Sequence, residues 1–347
     1  MYDIIYIGGG LNYAGAIVAE KHGLKVALVE TSLDQLGGVC LHKGCIPSKM
    51  FLYHANTIRQ SKESVFTGEI MLDMQLLTAK KNKLIKSASK AVREQCAQFD
   101  LIEGKGQVVA PHKVEVEGKI YESEYIVIGT GSSPYIPEGI IYDGKAIITS
   151  NEVLELKKLP KDIAIYGDGA IGMEMACFFA SAGVDVTLIS RGKTFLEKSH
   201  PLIQSAMVYQ MKKLGVIHLE SHSVVNARNT DKGVHVTFSD GTSNYYEQML
   251  IATGRQPNTD VIVTDEITIN RGIETDEWFE TSLAKHYAVG DCNGKVKLAH
   301  AARAQALNVT MQILGKNPKK LNLDHVVKFI HTLPMRYATV GQNKYLL

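Results

Sequence analysis

The sequence predicts an α/β fold with two Rossmann-like β–α–β units, one inserted into the chain of the other. Three observations predict it. Residues 3–31 and 162–191 repeat one pattern, each copy has a glycine cluster after an apolar run, and residues 125–134 and 249–258 form a second repeated pair. Strands that alternate with helices in this way form mostly parallel sheets. At 347 residues, the chain is long enough for two or three compact units.

The glycine clusters predict two dinucleotide sites. Gly8 and Gly10 follow the apolar run of residues 3–7, and Gly167 and Gly169 take the same positions in the second copy. Such glycines permit a tight turn and let backbone N–H groups approach a pyrophosphate, which the N-terminus of the next helix also attracts. For either loop taken alone, a plain strand-to-helix turn without ligand stays an alternative.

The first glycine loop is irregular. Gly172 completes the motif in the second copy, whereas the third glycine of the first copy is deleted or replaced by Tyr13, and residues 8–23 are one fewer than residues 167–183. The third glycine normally permits close helix–strand packing and makes no phosphate contact. We therefore expect a local distortion with binding retained.

The residues after the second strand of each unit predict different coenzymes. Glu30 ends the first unit, where a carboxylate can accept hydrogen bonds from ribose hydroxyls. The second unit has Ser190 and Arg191 there, with Lys193 close by. Loss of the carboxylate removes repulsion of a 2′-phosphate, and a guanidinium can bind one. This favours NADPH over NADH, with an ordinary surface arginine as the alternative.

Three further segments complete the chain. Residues 68–100 are predicted to form one long amphipathic helix, and residues 104–122 a small antiparallel meander, both serving packing. Gly290 and Asp291 end a predicted strand before a helix from about Leu298. An Asp at that position suits hydrogen bonds to the ribityl hydroxyls of a flavin, although Gly-Asp alone is only a turn dipeptide.

A close cysteine pair is the most informative feature. Cys40 and Cys45 lie five residues apart, directly before an apparent helix start. A helix N-terminus lowers the pKa of a nearby thiol, and Lys43 and Lys49 act in the same direction. Such a pair suits thiol–disulfide exchange. A zinc site needs about four ligands and only His42 is near in sequence, so we predict no metal.

Composition limits the function classes. The formal net charge is +2 with dispersed lysines and arginines, so we expect neither nucleic acid nor a membrane as partner. The N-terminal pattern leads us to expect no secretory signal, and no apolar run approaches the roughly 18–20 residues of a membrane-spanning helix. The remaining cysteines, Cys96, Cys177 and Cys292, are isolated and are interpreted as inert thiols, with a place beside a cofactor cleft as the alternative for Cys292. A cytoplasmic protein is expected.

Residues 37–49 resemble the redox signature of the class I pyridine nucleotide–disulfide oxidoreductases, and are most similar to the dihydrolipoamide dehydrogenase type. Glutathione reductase and mercuric reductase belong to the same group. The similarity runs in order along the chain through residues 8–10, Glu30, the cysteine pair, residues 125–131, 167–174 and 252–258, and Gly290–Asp291.

The resemblance implies two cofactors and an electron path. It implies FAD binding by Gly8, Gly10, Glu30, Gly38, Lys49, Thr130, Gly131 and Asp291. It implies NADP or NAD binding by Gly167, Gly169, Gly172, Glu174, Arg191 and Gly254. Hydride would pass from the nicotinamide to FAD and electrons on to the Cys40–Cys45 disulfide, or the reverse. Cys45 would lie against the flavin, Cys40 would exchange with substrate, and Lys49 would lie near the flavin ring.

The resemblance also implies a domain plan. We expect an FAD domain over residues 1–148, a nicotinamide domain over 149–265, a return segment over 266–322, and over 323–347 only the start of a dimerisation domain. In the family that domain, on the order of a hundred residues, gives the partner subunit a His–Glu pair. The family's homodimer is therefore expected to be weakened or lost. His331 is interpreted as an ordinary histidine.

The expected partner is a small-molecule or lipoyl-type disulfide. Two alternatives remain from the sequence. One is an NADPH-dependent reductase of another oxidant, such as a metal ion, quinone or small electrophile, which Ser190 and Arg191 favour. The other is a flavoprotein with only diaphorase or binding activity.

Overall fold

The computed structural model describes residues 1–63, 65–197 and 199–341, which form two compact units. The first unit is built from residues 1–42, 84–133 and 256–326. The second is built from residues 43–83, 134–255 and the chain from Val327 onward. Each unit is assembled from separate chain segments, as expected when one unit is inserted into another. The domain limits given above stay a prediction, and residues 342–347 of the last predicted segment lie outside the described part.

The secondary structure alternates strands and helices. In the described residues the helices are α1 (Tyr13–Lys21), α2 (Gly38–His42), α3 (Cys45–Ser61), α4 (Met74–Gln95), α5 (Ala170–Ser181), α6 (Pro201–Lys213) and α7 (Ala299–Ile313). The strands are β1 (Tyr2–Ile7), β2 (Val26–Glu30), β3 (Asp100–Glu103), β4 (Gly106–Ala110), β5 (Lys113–Val116), β6 (Lys119–Ile128), β7 (Ser132–Pro134), β8 (Ile147–Ile148), β9 (Asp162–Tyr166), β10 (Asp185–Ile189), β11 (Ile217–Leu219), β12 (Val224–Thr230), β13 (Gly233–Phe238), β14 (Ser243–Tyr246), β15 (Gln248–Ile251), β16 (Arg255–Pro257), β17 (His286–Ala288), β18 (Lys328–Ile330) and β19 (Tyr337–Thr339).

Helix α4 is shorter than the sequence predicted. The expected helix over residues 68–100 is observed only over Met74–Gln95, and Asp100 already begins β3. The start is fixed by Asp73, whose side-chain Oδ1 accepts hydrogen bonds from the backbone nitrogens of Gln75 at 2.8 Å and Leu76 at 2.9 Å. A capping carboxylate satisfies donors that have no partner within the helix, so the amphipathic pattern alone overestimated the helix length.

The sheet of the first unit has the order β3-β2-β1-β6-β5-β4, with β17 also paired to β6. Strands β3, β2, β1, the second half of β6, and β17 are parallel. Strands β4, β5 and the first half of β6 form the antiparallel meander that the sequence predicted. Apart from β3, which lies at the edge and is only partly buried, the parallel strands are largely apolar and buried, and helices α1 and α7 cover one face of the sheet.

A glycine sets the spacing of the helices on that face. A Cβ on Gly15 of α1 would lie 2.6 Å from the hydroxyl oxygen of Thr310 and 3.1 Å from the carbonyl oxygen of Ala306, both on α7. The Thr310 hydroxyl also pairs with the Tyr6 hydroxyl of β1 at 2.7 Å. Close helix packing in this unit therefore depends on Gly15, later in α1 than the expected third glycine.

The second unit contains a parallel sheet of order β11-β10-β9-β15-β8 and a separate antiparallel sheet, β12-β13-β14. Helix α5 is apolar and largely buried, as expected of a helix covered on all sides. It contacts α3, where the rings of Phe51 and Phe178 lie 5.1 Å apart, and β18. No helix within the described ranges is long and apolar enough to cross a membrane.

Parallel strands place the predicted glycine loops along one edge of each sheet. In the first unit, Gly8 follows β1, Gly129 follows β6 and Gly290 follows β17. In the second unit, Gly167 follows β9 and Ser190 follows β10. The carboxyl ends of parallel strands are where open α/β sheets bind their ligands, so each unit presents one candidate edge.

Candidate functional site

The loops of the first unit approach each other at backbone distance. Gly8 has φ of +95°, and a Cβ there would lie 2.4 Å from the carbonyl oxygen of Gly129. Gly38, at the start of α2, has φ of +64°, and its Cβ would lie 2.7 Å from the Cα of Gly10. No larger residue fits at Gly8 or Gly38, because a side chain would meet backbone. The backbones of three chain segments, around Gly8, Gly38 and Gly129, thus lie close together.

Glu30 lies where the sequence placed it, at the end of β2. Its carboxylate accepts hydrogen bonds from the backbone nitrogens of Gly9 at 2.6 Å and Thr31 at 2.8 Å. Burial raises the pKa of Glu30, and these two hydrogen bonds oppose the rise. A carboxylate has about four acceptor positions, so Glu30 keeps capacity for ribose hydroxyls.

The loop after β6 is held by Asn258. The Thr130 hydroxyl donates to the backbone oxygen of Asn258 at 2.7 Å, and the Asn258 side-chain amide donates back to the oxygen of Thr130 at 2.9 Å. A Cβ on Gly131 would meet nothing within 4 Å. Asp291, beyond β17, accepts a hydrogen bond from the Ser132 hydroxyl at 2.6 Å. Thr130, Gly131 and Asp291 therefore share one edge of the unit with Gly8 and Glu30.

At the irregular loop the structure shows a residue that sequence reasoning missed. Asn12 is only 3% exposed, and its side-chain nitrogen donates to the carbonyl oxygens of Ile7 at 3.4 Å and Val127 at 3.2 Å. A Cβ on Gly129 would lie 2.6 Å from that nitrogen. Asn12 thus joins the ends of β1 and β6, and helix α1 starts only at Tyr13. An asparagine two residues after the glycine cluster was the available signal.

These residues fit a dinucleotide such as FAD. Because Gly8, Gly10 and Gly38 carry no side chain, their backbones lie at close range, and a Cβ at Gly8 or Gly38 would collide with neighbouring backbone. Two buried side-chain atoms along this edge, Asn12 Oδ1 and Gln305 Nε2, have no hydrogen-bond partner among the described residues. A buried polar atom without a partner is costly, and a ligand or water can supply one.

The second glycine loop, in the other unit, is regular. Gly167 has φ of +114°, and a Cβ there would lie 2.4 Å from the carbonyl oxygen of Ala252. A Cβ on Gly172 would lie 1.8 Å from the oxygen of Gly167. By contrast, a Cβ on Gly169, directly before α5, or on Gly254 would meet nothing within 4 Å. The loop therefore packs closely against neighbouring backbone at Gly167 and Gly172 and leaves open space at Gly169 and Gly254. Open space beside a helix N-terminus suits a phosphate group.

Ser190 and Arg191, which follow β10, differ in exposure. Ser190 is 1% exposed, and its hydroxyl bonds to the carbonyl oxygen of Gly192 at 3.1 Å and to Nε2 of His218 at 2.8 Å. The ring of Phe195 lies 4.0 Å from that of His218, centroid to centroid. Ser190 is satisfied within the protein, whereas Arg191 is exposed. Of this predicted pair, Arg191 alone is therefore accessible from solvent.

Asp168, inside the same glycine loop, shows which charges lie nearby. Burial raises its pKa, His218 and Arg191 oppose the rise, and the carboxylate of Glu197 adds to it. Burial also lowers the pKa of His218. The loop after β10 and the glycine loop after β9 therefore share one electrostatic environment.

The cysteine pair lies at consecutive helices. Cys40 is in α2 and half-buried, and Cys45 is the first residue of the 17-residue helix α3 and exposed. The positive end of α3 favours a thiolate at Cys45. The other three cysteines are fully buried, and burial raises the thiol pKa to about 11 for Cys96, about 12 for Cys177 and about 11 for Cys292. Such thiols are poor nucleophiles, which agrees with their interpretation as inert.

Lys49 and Glu174, predicted for two different cofactors, form an ion pair within the second unit. The Lys49 ammonium lies 2.7 Å from both carboxylate oxygens of Glu174, whose side chain is 7% exposed. Glu174 also accepts a hydrogen bond from the backbone nitrogen of His331 at 3.0 Å. Burial lowers the pKa of His331, and the Lys49 charge lowers it further. No sequence motif connects these three residues.

Known proteins resemble this chain over nearly its whole length. Dihydrolipoyl dehydrogenase from Bacillus subtilis is 32% identical, with 98% of this chain and 77% of the relative covered. Mercuric reductase from Lysinibacillus sphaericus is 31% identical, with 98% of this chain and 64% of the relative covered. Among solved structures, the HOCl-induced flavoprotein disulfide reductase RclA from Escherichia coli has a TM-score of 0.89 at 25% identity, covering 98% of this chain and 77% of that one.

The family assignment rests on a match that includes both glycine loops and the cysteine pair. The family model for pyridine nucleotide-disulphide oxidoreductases matches residues 2–306. Those residues contain the sequence features from Gly8 to Asp291 that predicted two nucleotide sites and a redox-active pair. The fold confirms the two Rossmann-like units, and enzymes of this kind bind FAD and a nicotinamide coenzyme. This chain belongs to the pyridine nucleotide-disulphide oxidoreductase family.

Proposed function

We propose that this chain is an FAD-dependent NAD(P)H:disulfide oxidoreductase of the dihydrolipoyl dehydrogenase type, acting through Cys40 and Cys45. The observation that carries the proposal is the position of the pair, with Cys45 opening α3 in a chain that also has two glycine loops at strand ends. When bound, FAD supplies the two-electron chemistry that links a hydride donor to a disulfide. The protein supplies binding, orientation and the thiols.

The residues proposed to hold FAD are those along the edge of the first sheet. They are Gly8, Gly10, Glu30, Gly38, Thr130, Gly131 and Asp291. The exposed backbone at the glycines suits the pyrophosphate, and Glu30 and Asp291 are carboxylates that can accept from hydroxyl groups. Lys49 remains predicted near the flavin ring, and its pairing with Glu174 supports a fixed orientation for the ammonium group.

The residues proposed to hold the nicotinamide coenzyme are Gly167, Gly169, Gly172, Glu174, Arg191 and Gly254. The openness at Gly169, at the start of α5, supports a phosphate position there. Arg191 follows β10 and is exposed, at the position where a guanidinium could bind the 2′-phosphate of NADPH. Glu174 is engaged by Lys49, so its proposed contribution is to position neighbouring groups.

The cysteines would act by thiol–disulfide exchange. In the reduced protein the Cys40 thiolate attacks one sulfur of a substrate disulfide, forms a mixed disulfide and releases one thiolate, which takes up a proton. The Cys45 thiolate then attacks Cys40, forms the Cys40–Cys45 disulfide and releases the second thiol. Two electrons pass from the pair to the substrate. The reverse sequence oxidises a dithiol, and the proposed substrate is a small-molecule or lipoyl-type disulfide.

A second candidate is a reductase of another oxidant, in particular a metal ion. The mercuric reductase named above supports it through its similarity along this chain. Ser190 and Arg191 favour the NADPH that such a reductase would use. In this candidate the same cysteine pair would deliver electrons to a thiolate-bound ion.

Steady-state kinetics distinguishes the candidates. NADH or NADPH oxidation is measured with lipoamide, glutathione disulfide, a quinone and Hg(II) as oxidants, for the wild type and for Cys40→Ser. The proposal expects lipoamide to be the most efficient oxidant, with lipoamide turnover lost in Cys40→Ser and quinone turnover retained. Efficient turnover of Hg(II) alone supports the second candidate. Turnover only with quinones, unchanged by the variant, indicates diaphorase activity and contradicts both.

The five cysteines have no disulfide-framework spacing, which supports a reducing compartment, and we propose the cytoplasm as location. The domain limits at residues 148, 265 and 322 likewise remain proposals.

A further inference from the structure

The loop from Ser190 to Glu197 has a defined conformation. Ser190 is fixed by Gly192 and His218, and Phe195 is fully buried against the His218 ring. Leu196 has φ of +55°, a left-handed conformation that is uncommon for a leucine. Left-handed residues of this kind cluster at functional sites. In this loop Leu196 directly precedes Glu197.

The carboxylate of Glu197 is folded back over the loop. Its Oε1 accepts a hydrogen bond from the backbone nitrogen of Lys193 at 3.0 Å. A Cβ on Gly192 would lie 2.6 Å from the same oxygen and 3.4 Å from Oε2. Glu197 therefore places a negative charge against the peptide between Gly192 and Lys193. Arg191, with its positive charge, directly precedes this peptide.

The same carboxylate acts on the glycine loop. Glu197 raises the pKa of Asp168, after the larger effect of burial, and Arg191 lowers it. Since both residues influence the pKa of Asp168, the negative Glu197 and the positive Arg191 both lie near the glycine loop that is proposed to bind the coenzyme. Any charged group on the coenzyme's ribose would experience both.

The first unit offers a comparison within the same chain. There Glu30, at the end of β2, accepts hydrogen bonds from loop nitrogens and leaves acceptor capacity for a ribose. At the end of β10 the corresponding position is occupied by the neutral Ser190. The second unit nevertheless has a carboxylate bonded to a loop nitrogen, supplied by Glu197 from later in the chain.

We propose that Glu197 is a specificity-determining residue of the nicotinamide site, which accepts a hydrogen bond from the ribose of NADH and repels the 2′-phosphate of NADPH, in opposition to Arg191. This inference rests on the proposed function. A phosphate group carries close to two negative charges, and contact between exposed charges changes a binding constant by roughly tenfold. Coenzyme choice in this chain is then a balance between two side chains of one loop.

The test uses Glu197→Gln in the FAD-loaded protein. Glutamine keeps an oxygen that can accept from the Lys193 N–H and removes only the charge. Dissociation constants of NADP⁺ and NAD⁺ are measured by calorimetry, together with kcat/KM for NADPH and NADH. We expect NADP⁺ to bind about tenfold more tightly and NAD⁺ to change no more than about twofold. The gain should shrink at 0.5 M salt, because exposed charges are screened.

Two further variants separate charge from structure. Gly192→Ala should displace the carboxylate, because the new methyl group would meet the end of the flexible Glu197 side chain. It should shift the preference toward NADPH as well. Asp185→Asn removes an exposed carboxylate at the amino end of β10, the opposite end of the strand, and should leave the preference unchanged.

The outcomes are distinguishable. If both coenzymes bind and Glu197→Gln leaves the ratio of their dissociation constants unchanged, the role of Glu197 is wrong and the proposed function stands. If the wild type binds neither coenzyme, the nicotinamide site and this inference are both wrong. A tenfold gain that persists in high salt would overturn an electrostatic role for the carboxylate.

Discussion

The ammonium nitrogen of Lys49 lies 2.7 Å from each carboxylate oxygen of Glu174, although the two residues are 125 positions apart in the chain. Lys49 is on the helix that begins at Cys45, and Glu174 is on the helix that follows the second glycine loop. The ion pair therefore links α3, which begins at Cys45, to α5, which follows the second glycine loop, within the second unit. His331 joins it through its backbone nitrogen.

Breaking this pair should destabilise the protein. Glu174→Gln leaves the partly buried Lys49 charge without its carboxylate, and we expect a loss of about 1–3 kcal/mol in the free energy of unfolding. Urea unfolding of Glu174→Gln, Lys49→Met and the double variant measures the coupling. The exposed pair Lys158–Glu247 is the control, because its Lys158→Met variant should cost about 0–1 kcal/mol. A coupling energy between Lys49 and Glu174 no larger than the cost of the Lys158→Met control would contradict an energetic role for the pair.

The cysteine roles can be assigned by spectroscopy. Partial reduction with a dithiol should produce a broad long-wavelength absorbance from contact between a thiolate and the flavin. Cys45→Ser should abolish this band while the protein stays yellow, and Cys40→Ser should retain it because the Cys45 thiolate is intact. Absorbance spectra of the three proteins are the measurement. The opposite pattern would exchange the two roles.

Arg191 should favour NADPH. If Arg191 binds the 2′-phosphate as proposed, Arg191→Ala removes a charge-assisted hydrogen bond, and kcat/KM for NADPH should fall by the equivalent of about 1.5–3 kcal/mol. The value for NADH should barely change, which makes NADH the internal control. Equal losses with both coenzymes would show that Arg191 does not contact the phosphate.

Acid should destabilise the first unit through His286. Its ring is fully buried, its Nδ1 donates to the oxygen of Ala284 at 2.8 Å, and its Nε2 accepts from the backbone nitrogen of His112 at 3.1 Å. Burial lowers the pKa of His286, and the nearby His112 contributes further. The neutral ring is therefore the stable form in the folded state.

Because the folded-state pKa is below the ordinary value near 6.5, the unfolded state binds more protons in the window just below that value. Stability should thus be complete above about pH 6.5 and fall as pH decreases toward the folded-state pKa. Urea unfolding between pH 5 and 8 measures this slope, and His286→Gln should flatten it. The exposed His22→Gln is the control, and a slope unchanged by His286→Gln would show that another group is responsible.

Local patterns determined much of the fold and the candidate site. The apolar strands, the glycines that follow them and the cysteine pair lie within short segments, and their chemistry depends on neighbours in sequence. For this reason the two Rossmann-like units, the meander over residues 104–122 and the position of Glu30 were predicted correctly. The error in α4 was also local in origin, because the periodic pattern extends beyond the residue, Asp73, that starts the helix.

Only the tertiary structure decided the contacts between distant segments. Asn12 joins β1 to β6 through a carbonyl 115 residues away, Lys49 pairs with Glu174, and Ser190 bonds to His218. No motif marks these pairings, since each contact forms only when packed helices and parallel strands bring distant residues together. The sequence by itself determined the family, the cofactors that the family binds and the close cysteine pair. Packing decided which distant side chains contact one another, because burial and distance are properties of the folded chain.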